Sequence, residues 1–323
     1  MAPHIFITGI TGYIGGQTLA SIISKHPEYT ITGLVRKEEQ KQQILVKHPS
    51  IEIVIGDLDS NEILIEQSKK ADIVVNTADC DHVGAITSLL TGLSSGKKGV
   101  YLHLSGAASV FDHSTGYGKL SPKVWDDVED LATITTFEEP VAHVKADQLV
   151  LRLGKELSIK TALVVPPVVY GNSDGINDRS ITLPMLVDTA KARGKMFQVG
   201  EAKHSMSSTH VKDLADLFVY FVEEALRSEG SKVEWGDKGL FYAEGQEVVF
   251  ADVVDAIAKE MYKRGVIATA DVDVLSEEQA LELHPWALIL FATNMRTRAS
   301  RLRALGWVPK QLGVIDTVSG LAM

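Results

Sequence analysis

Residues 4–16, "HIFITGITGYIGG", decide the fold class of this chain. His4–Thr8 are mostly apolar, as in a buried strand, and glycines follow at positions 9, 12, 15 and 16. Glycine between a strand and a helix permits a tight turn and lets a pyrophosphate approach the backbone. A helix that begins near Tyr13 would offer its free N–H groups to the same anion. The spacing Gly9-x-x-Gly12-x-x-Gly15 therefore predicts a dinucleotide site.

The first half of the chain repeats this alternation of strand and helix. The predicted strands are 4–8, 29–35, 51–55, 72–76, 100–104 and 160–165. The predicted helices are 14–25, 37–46, 61–69, 83–94 and 141–157. Most of the strands are continuous apolar runs, which indicates a sheet covered by helices on both faces. The prediction is an α/β fold with a doubly wound parallel Rossmann sheet.

The regular alternation of predicted strands and helices ends after Pro166-Pro167, and the predicted loops are longer from there on. Helices are predicted at 181–193, 211–226, 250–263 and 297–305, with short strands at 195–199 and 239–243. Residues 1–166 are therefore predicted to form the dinucleotide-binding Rossmann domain. Residues 167–323 are predicted to form mainly a smaller C-terminal substrate lobe, from which about 205–228 return to the Rossmann sheet.

Composition and charge restrict the class of protein. The chain has 323 residues, of which 45% are hydrophobic and 23% charged, and its formal net charge is −10. An acidic surface repels phosphate backbones and anionic lipids, so no nucleic-acid or membrane partner is expected. Cys80 is the only cysteine, which excludes an intrachain disulfide. With no signal-peptide pattern and no 20-residue apolar run, a cytoplasmic location is expected.

Two cations follow the second predicted strand, in the sequence Leu34–Lys37. An NAD site commonly places an acid here to bind the ribose hydroxyls, whereas an arginine suits a 2′-phosphate. The alternative is a solvated helix start, because Arg36 and Lys37 precede Glu38 and Glu39. The pattern favours NADP(H) over NAD(H).

These features resemble the short-chain dehydrogenase/reductase superfamily, in the extended or atypical branch often labelled NAD-dependent epimerase/dehydratase. A fungal-type subgroup is the most similar. The resemblance rests on the order and spacing of seven short segments. They are "TGITGYIGG" at 8–16, "GDLDS" at 56–60, "NTADCDH" at 76–82, "LHLSGAASV" at 102–110, "VVPPVVYG" at 164–171, "STHVKDLADL" at 208–217 and "RALGWVPK" at 303–310.

The resemblance implies cofactor-binding residues at the ends of the strands. With Lys37 added from its place beside Arg36, they are Gly9, Gly12, Tyr13, Ile14, Gly15, Arg36, Lys37, Asp57, Leu58, Asn76, Thr77, Ala78, Pro166 and Val168. Gly9, Gly12, Tyr13, Ile14 and Gly15 would line the pyrophosphate. Arg36 would contact the adenosine ribose or its phosphate, and Asp57 with Leu58 would border the adenine. Asn76, Thr77 and Ala78 would lie along the ribose, and Pro166 with Val168 would hold the nicotinamide carboxamide. An ordinary acidic residue in the turn after a strand is an equally good interpretation of Asp57.

The residues expected for hydride chemistry are missing from this chain. Related enzymes carry Ser or Thr after the fifth strand, to polarise a carbonyl, and Tyr-x-x-x-Lys on the next helix, to exchange a proton. Here Ala107 occupies the Ser/Thr position. If Lys145 is the lysine, the tyrosine position is Val141. If His143 occupies the lysine position, the tyrosine position is Glu139.

The second register is favoured, because an acid followed by apolar residues recurs there in the family. His143 could then act as general acid or base. Lys145 could hold the nicotinamide ribose, and Ser105 could replace the missing hydroxyl. The candidate substrate-binding residues are His82, Ala107, Tyr170 and Arg179. No metal site is predicted, because the chain has no His-Glu-x-x-His motif and no cysteine cluster.

The sequence therefore predicts an NADP(H)-binding oxidoreductase that acts on a small carbonyl or alcohol with an atypical acid/base set. One alternative is a non-redox enzyme on the same scaffold, such as an isomerase, dehydratase, lyase or cyclase. The other is an NmrA-like NADP-sensing binding protein. By analogy with the superfamily, the helix at 141–157 could also pair in a homodimer.

Overall fold

The computed structural model describes residues 2–323, which form fourteen strands and twelve α-helices. Strands β1–β14 are His4–Thr8, Thr30–Val35, Glu52–Ile55, Ile73–Asn76, Val100–Leu104, Trp125–Asp126, Lys160–Val165, Val168–Tyr170, Met196–Val199, Ser205–His210, Leu240–Tyr242, Gln246–Val249, Val272–Leu275 and Thr297–Arg298. Helices α1–α12 are Tyr13–Lys25, Glu38–Lys47, Asn61–Lys70, Val83–Ser95, Leu131–Ile134, Val144–Leu157, Thr182–Arg193, Val211–Ala225, Phe250–Lys263, Glu277–Leu283, Ala287–Ala292 and Ser300–Ala304.

Seven parallel strands form the main sheet, in the order β3-β2-β1-β4-β5-β7-β11. Strand β1 pairs with β2 on one side and with β4 on the other, so the strand order reverses there. The crevice outside the carboxyl ends of such a pair is where open α/β sheets bind ligands. The predicted doubly wound parallel Rossmann sheet is confirmed.

Both faces of this sheet are covered. Every residue of β4 and β5 is buried, as expected for strands packed between two helix layers. Helix α1 packs against α8, while α4 packs against α3 and α6. None of the helices formed by residues 2–323 is both long and apolar enough to cross a membrane.

The second half of the chain contributes to the main sheet differently from the expectation for residues 205–228. Helix α8 does lie against the Rossmann part, through its contact with α1. Strand β10 does not join the main sheet, because it pairs with β8 and β12 in a separate three-stranded sheet. The seventh strand is β11, whose residue Leu240 pairs with Leu163.

Two predicted helices need correction. Within 297–305, Thr297 and Arg298 form strand β14 against Trp125 and Asp126, and helix α12 begins only at Ser300. The backbone N–H of Thr297 donates to the Ser207 side chain at 2.8 Å, which holds it outside a helix. Strands β6, β8, β10, β12 and β13 and helices α5, α10 and α11 were not predicted from the sequence.

The helix predicted at 141–157 begins three residues later, at Val144. His143 precedes it with a φ of 65°, in the left-handed region, so it cannot continue a right-handed helix. Val141 and Glu139 therefore lie in the preceding turn, and neither tyrosine position is on the helix. This bend sets the direction of the His143 side chain.

Candidate active site

The glycine turn brings the start of α1 close to the ends of β1 and β4. Gly9 has a φ of 78°, and a Cβ there would lie 2.5 Å from the carbonyl carbon of Thr77. A Cβ at Gly15 would overlap the Gly9 carbonyl oxygen and Thr77 Oγ1. Gly12 is the N-cap and provides no side-chain cap. The first N–H groups of α1 are thus left for an anion.

A cleft of about 590 Å³ opens beside this turn, a volume within the range of small-ligand pockets. It runs from the glycine turn past the ends of β2, β3 and β4. Seven predicted cofactor residues line it: Gly9, Gly12, Arg36, Asp57, Leu58, Thr77 and Ala78. These residues come from four separate turns of the chain, and the sheet brings them to one edge.

Arg36 provides a free cation on the wall of this cleft. Its side chain is exposed, and its guanidinium has no ion-pair partner among residues 2–323. Lys37 is the N-cap of α2, is exposed and does not line the cleft. Across the cleft, Asp57 accepts a hydrogen bond from the Ser60 hydroxyl at 2.7 Å, which lowers the pKa of Asp57. Asp57 is therefore charged at neutral pH.

Three other predicted cofactor side chains serve packing or internal hydrogen bonds. The Tyr13 hydroxyl donates to the carbonyl oxygen of Gly171 at 2.6 Å, and Ile14 packs against the core. Asn76 is buried and accepts a hydrogen bond from Thr8 Oγ1 at 2.5 Å. The Asn76 amide donates in turn to the Tyr101 hydroxyl. Their side chains therefore do not line the cleft.

Pro166 and Val168 lie just beyond the end of β7. The carbonyl oxygen of Pro166 accepts a hydrogen bond from the Ala107 N–H at 3.0 Å, which ties the two loops together. Val168 begins strand β8 and is half-buried. Ala107 is 2% exposed, in a short 3-10 turn after β5. Contacts of these three residues with nicotinamide or substrate remain predictions.

Polar side chains from three elements meet beyond the ends of β4 and β5. We call them the His143 cluster: His143, Cys80, Asp81, Ser105 and Asp147. His143 Nδ1 lies 3.0 Å from an Asp81 carboxylate oxygen and 3.4 Å from Cys80 Sγ. His143 Nε2 lies over Gly106, where a Cβ would be only 2.9 Å away. Glycine at position 106 therefore makes room for the imidazole.

Ser105 and Asp147 form the buried side of the cluster. The Ser105 hydroxyl donates to Asp147 Oδ2 at 2.9 Å, while the buried Oδ1 has no hydrogen-bond partner among residues 2–323. Burial raises the pKa of Asp147 to about 7 against the lowering effect of the Ser105 hydrogen bond, and nearby Asp81 raises it further. Asp147 therefore titrates near neutral pH.

Cys80 is a neutral thiol in this setting. Burial raises the pKa of Cys80 to about 12, and the charges of Asp81, Asp147 and Asp79 add to the effect. From the sequence, Asp81 and His82 are candidates for contact with substrate or cofactor, because they follow the fourth strand at the carboxyl edge of the sheet. The sequence indicated no role for Cys80, and Asp147 served only to set the helix register.

Of the two lysine-position candidates, His143 lies in the cluster and Lys145 does not. Lys145 is exposed, and its Nζ has no hydrogen-bond or ion-pair partner among residues 2–323. His82 lies elsewhere, on the wall of the cleft near Asp57. Its Nδ1 accepts from the Ala85 N–H at 3.0 Å, and its Nε2 is 3.2 Å from Asp59. The ribose role of Lys145 and the substrate role of His82 stay predictions.

Tyr170 corrects one expectation about the substrate site. Its hydroxyl donates to the Leu312 carbonyl oxygen at 2.9 Å and accepts from Gln246 at 2.8 Å. With only 3% of the residue exposed, Tyr170 is a packing residue that anchors the C-terminal segment. Arg179 is exposed and pairs with Asp188 of α7, so its contact with a substrate remains untested.

Comparison with known proteins relates the chain to one family. The sequence matches the NAD dependent epimerase/dehydratase family over residues 5–92 and 94–233. It is 30% identical to the oxidase ucsJ of Acremonium sp over 325 residues, covering 96% of this chain and 93% of that protein. An uncharacterised protein of Saccharomyces cerevisiae is 24% identical, with 97% of each chain covered.

Solved structures show the same fold at low identity. The dTDP-glucose 4,6-dehydratase of Bacillus anthracis, solved in complex with NAD, superposes with a TM-score of 0.67 at 15% identity and covers 98% of this chain and 96% of its own. Vestitone reductase of alfalfa superposes with a TM-score of 0.61 at 14% identity, covering 96% and 94%. The chain belongs to the NAD-dependent epimerase/dehydratase family.

Proposed function

We propose that the chain is an NADP(H)-dependent oxidoreductase that acts on a small carbonyl or alcohol. The observation that carries the cofactor proposal is the uncapped start of α1, which meets an open cleft with a free arginine, Arg36, on its wall. The helix terminus and the glycine turn suit the pyrophosphate. Arg36 suits a phosphate on the adenosine ribose.

The charges around Arg36 support NADP(H) over NAD(H). A site specific for NAD commonly has an acid at the end of the second strand, and here that position is Arg36. The nearby acids are occupied, since Asp57 accepts from Ser60 and Asp59 faces His82. Arg36 thus keeps its guanidinium available for bidentate phosphate binding.

The His143 cluster supports the redox part of the proposal. NADPH, when bound, supplies a hydride to a carbonyl carbon, and the carbonyl oxygen must then take a proton. The charged carboxylate of Asp81 can only accept, so Nδ1 of His143 donates to it. Nε2 is the nitrogen left to carry the proton, held above Gly106 beside the Ser/Thr position now occupied by Ala107. This is the base-and-orienting-acid arrangement of many proton-transfer sites.

The oxidase name of the Acremonium relative also supports a redox reaction. Ser105 has a different place in this scheme from the one expected from the sequence. Its hydroxyl has a single proton, which it gives to Asp147. While Asp147 is ionised, Ser105 acts as a positioning residue and does not polarise a substrate carbonyl.

The cofactor proposal is tested by calorimetric titration of the purified chain with NADPH and NADH. We expect tighter binding of NADPH, because the charged hydrogen bonds of Arg36 with a phosphate contribute about 1.5–3 kcal/mol. Arg36→Ala should weaken NADPH binding by about 10- to 100-fold, the equivalent of that energy, and leave NADH binding within about twofold.

Arg152→Ala is the matched control, because Arg152 is an exposed arginine whose ion-pair partner, Glu156, lies on its own helix. It should leave both affinities unchanged. Equal affinity of the parent for NADPH and NADH, or an equal loss for both cofactors in Arg36→Ala, would contradict NADP(H) selectivity at this position.

A further inference from the structure

Three side chains of the His143 cluster are of the kinds that bind transition metals. Cys80 follows β4, Asp81 is its neighbour, and His143 comes from the turn before α6, 62 residues further along the chain. One donor atom of each, a sulfur, a carboxylate oxygen and an imidazole nitrogen, lies within 4.8 Å of the other two. The fold therefore assembles a donor set that no local sequence motif displays.

The geometry differs from that of a nucleophilic cysteine relay. In such a relay the nucleophile and the orienting acid contact opposite nitrogens of the imidazole. Here Cys80 Sγ and the Asp81 carboxylate both approach Nδ1, at 3.4 Å and 3.0 Å, while Nε2 faces Gly106. A single N–H cannot point well at both neighbours. Donor atoms that converge on one another in this way suit a shared cation.

The distances between the donor atoms support the same reading. Zinc bonds are about 2.3 Å long to a thiolate and about 2.0 Å long to an imidazole or carboxylate. A tetrahedral ion would therefore separate sulfur from nitrogen by about 3.5 Å, and nitrogen from oxygen by about 3.3 Å. The observed Nδ1 distances of 3.4 Å to Cys80 and 3.0 and 3.1 Å to Asp81 are close to these values. Shifts of a few tenths of an ångström would admit the ion.

The charges around the cluster also favour a cation. Asp79, Asp81 and Asp147 surround Cys80, and no lysine or arginine among residues 2–323 lies within ion-pair distance of these three acids. Within residues 2–323, the buried Oδ1 of Asp147 has no hydrogen-bond partner. A bound divalent ion would compensate this concentration of negative charge.

We propose that Cys80, Asp81 and His143 form a site for one divalent transition-metal ion, with zinc the best match to the sulfur, nitrogen and oxygen donors. The Asp81 side chain is 53% exposed, which gives the ion a route from solvent. Three protein ligands leave a fourth position open, as in catalytic rather than structural zinc sites. The ion would replace the Nδ1 proton that His143 otherwise donates to Asp81, so metal binding and the proposed proton transfer use the same groups in alternative states.

The site is tested on the full chain after dialysis against a chelator, by titration with Zn²⁺ and with Co²⁺. We expect one equivalent of either ion to bind, and Co²⁺ to produce a thiolate charge-transfer band in the near ultraviolet. Cys80 is the only cysteine, so Cys80→Ser must abolish that band. His143→Ala and Asp81→Asn should each weaken Zn²⁺ binding by at least about tenfold, with the fold verified by circular dichroism.

His48→Ala is the matched control, because His48 ends helix α2 and lies outside the cluster. It should bind Zn²⁺ with the affinity of the parent. The proposal is overturned if the parent binds no stoichiometric Zn²⁺ at micromolar concentrations. It is also overturned if Co²⁺ binds without a thiolate band, or if binding is unchanged in both His143→Ala and Asp81→Asn. These readouts are independent of turnover and of the cofactor.

Discussion

At the scale of single residues, Asp147 is the most unusual group near the candidate site. Part of the residue is exposed, but its Oδ1 is buried and has no hydrogen-bond partner in the described part of the chain, while its other oxygen accepts from Ser105. Burial raises its pKa to about 7, whereas an unfolded aspartate has a pKa of about 3.9. The folded chain therefore holds this proton more tightly than the unfolded chain does.

This difference predicts the pH dependence of Asp147→Asn. Between about pH 4 and pH 7, Asp147 is more fully protonated in the folded state than in the unfolded state. The stability that this proton contributes is therefore lost as the pH rises through this range, and it does not return above pH 7. An asparagine cannot ionise, but it can still accept from Ser105. The free energy of unfolding of Asp147→Asn, relative to the parent, should rise by up to about 4 kcal/mol across this window.

Urea unfolding at several pH values from 4.5 to 8 measures that difference. Other titrating groups, such as Asp127, occur in both proteins and cancel in the comparison. Asp188→Asn, which changes an exposed aspartate, should show a nearly constant difference. A flat difference for Asp147→Asn as well would mean that the Asp147 carboxylate is solvated and its pKa ordinary.

The residues of the site were only partly predictable. The glycines and Arg36 directly follow the ends of strands, so their position on the cleft could be predicted from the sequence. The contact of His143 with Asp81 joins residues 62 positions apart and depends on a left-handed turn that no local pattern indicates. Tyr170 has a side chain of the kind found in substrate sites, and only its hydrogen bonds with Leu312 and Gln246 show that it has a packing role.

At the scale of elements, the turn from β1 to α1 carries the cofactor site. Gly9 needs its glycine twice, because φ is 78° and a Cβ would strike the Thr77 backbone. Gly194, at the end of α7, has a similar φ of 75°, but a Cβ placed there would have no atom of residues 2–323 beyond its chain neighbours within 4 Å. The two positions share the left-handed conformation, but only Gly9 has the collision and lines the cleft.

This pair predicts different outcomes for Gly9→Ala and Gly194→Ala. Gly194→Ala should lower the free energy of unfolding by about 1–2 kcal/mol, which is the cost of holding an alanine in the left-handed region. It should bind NADPH as the parent does. Gly9→Ala must also displace the backbone at Thr77, so it should lose more stability and most of its affinity for NADPH. Chemical unfolding and calorimetry measure both effects. Equal losses of stability, together with intact NADPH binding in Gly9→Ala, would contradict the close approach at this turn.

The elements of the Rossmann half were more predictable than those of the lobe. The first five strands and β7 are apolar runs closed by turn residues, and each lies within one or two residues of its predicted bounds. Strand β14 of the lobe and its partner β6, from the first half of the chain, are each two residues long, too short to produce a period. Helix α12 begins two residues after β14, so the sequence pattern of β14 and α12 together predicts one helix.

At the scale of the whole molecule, the strand order explains why distant segments share one cleft. Strands β1, β2, β3 and β4 are consecutive across the sheet, and the turns after them line the cleft. The turns after β4 and β5, together with the residue before α6, place the His143 cluster next to it, because Asp79 of the cleft wall is one residue from Cys80. Cofactor and proton-carrying residues therefore meet along one edge.

The partition of the chain between sheet and lobe could not be derived from the sequence. Strand β11 pairs with β7 across about 75 residues of intervening chain, and its three residues LFY fit either location. Strand β10 is polar, "SMSSTH", yet wholly buried, and Ser205 and Ser207 bond there to Glu247 and to the Thr297 carbonyl oxygen. Pairing over such separations depends on packing that is not visible locally.

The central claim is that NADPH bound in the cleft gives its hydride to a carbonyl substrate, with His143 supplying the proton. The most direct test mixes the chain, without oxygen, with NADPH that carries deuterium in the transferable C4 position and a panel of small aldehydes and ketones. Mass spectrometry of the products should find deuterium on the former carbonyl carbon. His143→Gln should slow the transfer by at least about 100-fold without weakening NADPH binding, and His48→Gln should not slow it. The absence of deuterium from every product, with bound NADPH intact, would contradict the account and indicate a non-redox enzyme or a nucleotide-sensing protein.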